Sequence, residues 1–339
     1  NDPHLLVYGM MASLLAAGSW LLIASSFGWP VSTTHSIVGA IVGFGAVGVG
    51  VDAVAWGKVI KIVISWIASP VLAGIISFTL FRSLQNLIID TQDPFNNAKK
   101  YVPYYMFLVG FVVSLVTIFK GLKHVGLSFS TSTSYLLSLG FGLLVAIIGT
   151  LMIRNIHLDP DENIDFHFTS MERVFGVLMI ITAAAMAFAH GSNDVANAIG
   201  PLAAIYSVIE SGGAIGSKSA LPLWILLVGG AGIVVGLVTY GHRVIATIGT
   251  GITQLTPSRG FAATLAAAAT VVIASGTGIP VSTTQVLVGA VLGVGLARGM
   301  AALDTRVINR IFLSWIVTLP AGALMSILFF FALKGAFGA

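Results

Sequence analysis

The chain has 339 residues, 57% of them hydrophobic and only 8% charged, with a mean hydropathy of +1.00 and a formal net charge of +4. An ordinary soluble domain carries roughly a quarter charged residues, so this composition excludes a water-soluble globule, and the 16 Lys and Arg form no run that could follow a nucleic-acid backbone. The absence of Cys excludes disulfides, thiolate metal sites and thiol nucleophiles.

The composition predicts an all-α integral membrane protein that crosses the bilayer several times, in the cell (inner) membrane. A crossing helix needs about 20 mostly apolar residues. From Leu5 to Val51 there are 47 residues without a formal charge, enough for two segments, and they break at Gly28-Trp29-Pro30, where proline removes an amide donor. Further apolar segments follow at Ile62–Phe81, Tyr101–Phe119, Ser134–Ile153, Val174–Ala189, Val195–Ile209, Leu221–Tyr240, Phe261–Ser275, Val281–Ala297 and Ile311–Leu333. That makes about eleven, several too short to cross alone, which predicts discontinuous or re-entrant helices. Polar connections are expected at Arg82–Lys100 and Arg154–Arg173. The basic residues Lys58, Lys61, Arg298, Arg306 and Arg310 flank both copies of the repeat described next and fix no orientation.

The chain contains an internal repeat. Residues 29–45 read WPVSTTHSIVGAIVGFG and residues 279–295 read IPVSTTQVLVGAVLGVG, identical at 10 of 17 positions at an offset of 250. Downstream, Ser65-Trp66 with Pro70 recurs as Ser314-Trp315 with Pro320, one residue out of step. Two copies of a membrane unit around a long middle section are typical of secondary transporters, whose halves enclose a central site. The expected organisation is part of a first membrane repeat in 1–81, connecting helices and loops in 82–171, and a second repeat in 172–339.

Proline followed by Ser and Thr is a helix-start signal, with hydroxyls able to cap free amides. A helix N-terminus carries about half a positive charge and presents several N–H donors. With three hydroxyls added, each motif is either a neutral cradle for an oxyanion or a set of caps and interhelical ties. A second constellation, His190-Gly191-Ser192-Asn193-Asp194-Val195-Ala196-Asn197, lies between two apolar segments and so at membrane depth. A carboxylate there is a functional candidate by default. Asn193, Asp194 and Asn197 offer hard oxygen ligands, with the 193/197 and 194/197 pairs each sharing a helix face, suited to Na⁺, or to a proton on Asp194. Adjacent His, Ser and Asp do not make a hydrolase triad, which is defined by geometry, and no enzymatic activity is expected.

The run 191–198, with Val-Ser-Thr-Thr at 31–34 and again at 281–284, resembles the inorganic phosphate transporter (PiT) family over most of the chain. The resemblance implies a phosphate permease coupled to Na⁺ or H⁺, built from two inverted repeats that each carry one Asn-Asp and one Ser-Thr-Thr motif. It implies that Ser32, Thr33, Thr34, Ser282, Thr283 and Thr284 contact phosphate, and that Asn193, Asp194 and Asn197 hold cation, phosphate or both. At the offset of 250 the mate of Asn193 in the first repeat would fall at position −57, before residue 1, so a preceding segment of about 60–80 residues with two or so helices is expected. His35 stands opposite Gln285 and reads as a satisfied core histidine in preference to a proton-sensitive group beside the anion.

Charge supports cation coupling independently. No Lys or Arg lies within either Ser-Thr-Thr span, and carrying one negative charge into a cell negative inside costs about 2.3 kcal/mol per 100 mV. Two or more cations are therefore expected with each phosphate. The competing readings are a permease for another oxyanion such as sulfate, an anion channel, and a non-transporting receptor or scaffold. The expected partners are inorganic phosphate, sodium or protons, the bilayer and a second copy in a homodimer, with no nucleic acid and no cofactor beyond the coupling ion.

Overall fold

A computed structural model describes residues 3–121, 129–154, 164–214, 221–277 and 281–338. Among these the secondary structure is helical throughout. In chain order the helices are α1 (Pro3–Ser26), α2 (Thr33–Phe44), α3 (Trp56–Leu84), α4 (Pro94–Val116), α5 (Thr131–Arg154), α6 (Ile164–Glu210), α7 (Leu223–Gly236), α8 (His242–Ala246), α9 (Pro257–Thr277), α10 (Thr283–Arg298) and α11 (Thr305–Phe337). Among the described residues, eight helical stretches are long and apolar enough to cross a membrane, with α7 and α8 running together as one of them. This is a multi-pass membrane protein.

The helix boundaries follow from local chemistry. Gly28 ends α1 in the left-handed region, with φ 69°, at the break expected from Gly28-Trp29-Pro30. The Asp93 side chain caps α4 by accepting from the Asn96 amide at 3.1 Å, with Pro94 following it. Asp304 caps α11 through the amides of Arg306 and Val307. Helices α2 and α10, of 12 and 16 residues, rise about 18 and 24 Å, short of a hydrocarbon core of about 30 Å.

Two expectations are corrected. Segments Val174–Ala189 and Val195–Ile209 do not form separate helices; both lie in the 47-residue α6. Residues 190–197 contain no proline, and Ser, Asn and Asp lose only about half a kcal/mol each in a helix interior, so the motif stays helical. The region Arg82–Lys100 is mostly helix as well, since a π-helical turn at Gln85–Ile89 continues from the end of α3 and α4 begins at Pro94. Of the connection Arg154–Arg173, residues 155–163 lie outside the described residues.

Packing reveals a deeper repeat than the sequence does. Helix α2 lies between α1 and α11, and α10 lies between α9 and α3. Each motif helix therefore packs on the Ser-Trp helix of the other repeat. Glycines make the two crossings close: a Cβ on Gly39 would stand 2.6 Å from the Leu319 carbonyl oxygen and one on Gly43 2.6 Å from Ala323, while one on Gly289 would collide with the Pro70 carbonyl and one on Gly293 with that of Gly74. Gly39 and Gly289 are equivalent at the offset of 250, and so are Gly43 and Gly293. Helix α6 reaches both sides, touching α1 and α2 in one trio and α9 and α10 in the other. The main apolar core joins α3, α4, α6, α9 and α10, and a smaller cluster of Ala12, Phe44 and Phe330 closes the first trio. Large apolar side chains such as Leu136, Leu223 and Ile316 point outward, as a hydrocarbon solvent allows.

Candidate anion and cation site

The two Ser-Thr-Thr motifs open α2 and α10 in the same way. Ser32 has extended backbone and accepts from the His35 amide at 3.1 Å; Ser282 does the same for Gln285 at 3.3 Å. Both serines are thus N-caps, each engaged with its own helix through an acceptor lone pair while its hydroxyl proton stays available. Thr34 and Thr284 are buried at equivalent positions, and Thr283 is more deeply buried still.

Helix α6 brings the acidic constellation against both starts. Asn197 donates from Nδ2 to Thr33 Oγ1 at 3.2 Å and to Thr34 Oγ1 at 3.1 Å. Asp194 accepts from Thr283 Oγ1 at 3.0 Å. Asn193 lies against the chain entering α10, with Nδ2 3.5 Å from the Val281 carbonyl and 3.4 Å from Asp194 Oδ1. Six of the nine residues expected from the sequence, Thr33, Thr34, Asn193, Asp194, Asn197 and Thr283, are joined by contacts of α6 with the two helix starts, while Ser32, Ser282 and Thr284 are their chain neighbours.

One further residue belongs there. His190 Nε2 lies 2.9 Å from Asp194 Oδ2, with the carboxylate side chain only 13% exposed. The signal is the four-residue spacing, which becomes a contact only once the two apolar segments flanking the motif are known to be one helix. Asp194 is held on both oxygens, by His190 on one side and Thr283 on the other. Among the described residues no Lys or Arg bonds any member of the site, so helix N-termini and neutral hydroxyls supply its positive potential. Such a junction favours a tetrahedral anion at the helix starts and a small cation at the carboxylate and amide oxygens.

With that geometry established, comparison with known proteins is decisive. The model of the PHO4 phosphate transporter family matches residues 1–326. The chain belongs to the phosphate transporter family. It is 53% identical to a protein of Haemophilus influenzae provisionally named a phosphate permease, over 99% of this chain and 80% of the relative. A similarly named Thermococcus kodakarensis protein is 44% identical over 97% of this chain and 79% of its own length. Among solved structures, one titled "The sodium-dependent phosphate transporter" is similar with a TM-score of 0.87 and 38% identity, covering 98% of this chain and 81% of that one. The family is one of transporters, not of enzymes.

Proposed function

We propose that this transporter imports inorganic phosphate together with Na⁺ by alternating access across the cell (inner) membrane. The observation that carries the proposal is the bridge made by α6, which ties Asp194 to Thr283 and Asn197 to Thr33 and Thr34. Phosphate sits between the helix starts, contacted by Thr33, Thr34, Thr283 and Thr284, by the free donor capacity of Ser32 and Ser282, and by Asn193. Sodium sits at Asp194, Asn193 and Asn197, where it replaces the positive charge that the site lacks. Because both ions bind residues of one helix, occupancy by one lowers the electrostatic cost of the other.

The reciprocal packing of α2 on α11 and α10 on α3 supports reading the repeats as an inverted pair that rocks about this junction. The sodium-dependent neighbour supports Na⁺ as the coupling ion. A proton carried on Asp194 is the second reading, favoured by the His190 contact. The protein functions as a homodimer in this proposal.

The test is radiolabelled phosphate uptake into proteoliposomes, with and without an inward Na⁺ gradient, for the wild type and Asp194→Asn. Uptake that requires Na⁺ and fails in the variant supports the symporter. Uptake driven equally by a proton gradient moves Asp194 to proton transfer, and uptake insensitive to both gradients sinks cation coupling. Sulfate carried in place of phosphate overturns the substrate, and non-saturating flux indicates a channel.

A further inference from the structure

We infer that Arg243, Thr247 and Trp315 are positioning residues for the first Ser-Thr-Thr motif, a clasp from the second repeat that holds the backbone entering α2 in its anion-binding geometry. Residues 27–32, between the end of α1 and the start of α2, are not helical. Unwound backbone between two apolar helices must find partners for its carbonyls within the protein, since hydrocarbon offers none. Here side chains supply them at every second residue. Arg243 donates from Nη1 to the Ser26 carbonyl at 2.6 Å, Thr247 from Oγ1 to the Gly28 carbonyl at 2.9 Å, and Trp315 from Nε1 to the Pro30 carbonyl at 2.9 Å. The partners are separated by 217, 219 and 285 residues in sequence.

Each donor is itself placed. Arg243 lies over the Tyr240 ring, 5.3 Å from its centroid. Thr247 follows Arg243 by one helical turn, and the Gly28 carbonyl is nearer to its hydroxyl than the Arg243 carbonyl at 3.1 Å. Trp315 is buried on α11, the helix against which α2 packs. Its bond reaches the carbonyl two residues before Ser32, the residue that caps α2. The Val31 amide donates to the Trp29 carbonyl at 2.9 Å, so the chain turns tightly here and a shift of Pro30 passes to Ser32. Arg243 acts through charge as well. The C-terminus of α1 carries partial negative charge six residues before Ser32, and a guanidinium on its last carbonyl offsets that charge.

The hydroxyls of Thr33 and Thr34 and the amides that open α2 move with this backbone. With a donor removed they sample more positions, and the anion must order them on binding. The signature is a weaker affinity for phosphate with the turnover step intact. That signature rests on the reading of the motif as a phosphate site; the three bonds do not.

The experiment measures initial rates of radiolabelled phosphate uptake into proteoliposomes against phosphate concentration, together with the melting temperature of the same protein in detergent with and without phosphate. Thr247→Val and Trp315→Phe are each expected to raise KM several-fold, leave kcat close to that of the wild type and shrink the stabilisation by phosphate. Thr247→Ser, which restores the hydroxyl, restores KM. Arg243→Lys, which keeps a cationic donor, lies between the wild type and Arg243→Leu. Thr250, three residues beyond Thr247, bonds the Ala246 carbonyl of its own helix, and Thr250→Val leaves KM unchanged. Lower kcat or lower melting temperature with KM unchanged gives the three residues a purely structural role and overturns the clasp. A Thr247→Ser variant that behaves like Thr247→Val overturns it as well. Should Trp315→Phe misfold, the two Thr247 variants decide. A wild type that carries sulfate and not phosphate fails the substrate reading alone, and the same KM comparison with sulfate then decides the clasp.

Discussion

Asn197 and Asp194 lie three residues apart on one helix and bond to opposite repeats, Asn197 to the threonines that open α2 and Asp194 to the threonine that opens α10. No other pair in the described structure links the two motifs so directly, and four predictions follow from the geometry around it.

Asp194→Asn keeps the shape of the side chain and removes its charge. Sodium-driven phosphate uptake should fall by at least about tenfold, equivalent to about 1.4 kcal/mol, with the protein still folded and monodisperse. Uptake within twofold of the wild type would remove Asp194 from the cation site.

Thr283→Val is close to isosteric but leaves Asp194 Oδ1 without its 3.0 Å donor. Only the longer 3.4 Å contact from Asn193 Nδ2 then remains on that oxygen. Losing the better donor to a buried carboxylate costs about 1–3 kcal/mol, so the apparent affinity for Na⁺ or phosphate should weaken by roughly 5- to 150-fold. The concentration dependence of initial uptake rates measures this. Ser282→Ala serves as the contrast, since its acceptor role is a helix cap worth about 1 kcal/mol of stability. Its melting temperature should drop even if phosphate is absent.

Asn197→Ala combined with Thr34→Val forms a double-mutant cycle across the α6–α2 contact. Thermal unfolding in detergent should show a coupling of about 0.5–3 kcal/mol. Additive effects would mean that the 3.1 Å bond contributes nothing to holding α6 on the first motif.

Gly289→Ala places a methyl group into the Pro70 carbonyl at the α10–α3 crossing. Overpacking of this kind costs about 1–3 kcal/mol, so the variant should melt lower and transport more slowly. Gly39→Ala should behave alike at the equivalent α2–α11 crossing. In contrast, Gly200 has open space where its Cβ would be, and Gly200→Ala should be tolerated.

The sequence carries the membrane class, the repeat, the break after α1 and the residues of the junction, because each rests on local chemistry. Proline, serine and threonine in a fixed order announce a helix start wherever they occur, and a carboxylate in apolar sequence stands out by its cost. The continuity of α6 was not legible, since polar residues at 190–197 look like an interruption until tertiary partners satisfy them. The contact of His190 with Asp194 depends on that continuity. The crossing of α2 with α11 was hidden for another reason: its glycines read as ordinary small residues until the backbone of a distant helix is found against them. His35 reads as core in any one-dimensional pattern, and it is buried.

The exchange of motif helices between repeats has a consequence for biogenesis. The surface of α2 around Gly39 has its partner backbone at Leu319, 280 residues further along the chain. At roughly 5–20 residues per second, a ribosome needs between about a quarter of a minute and a minute to supply it. Through that interval α2, too short to sit across the bilayer by itself, waits beside α1 with its glycine stripe unmatched. A chain arrested before α11 leaves Gly39 and Gly43 without the backbone of Leu319 and Ala323 that they pack against.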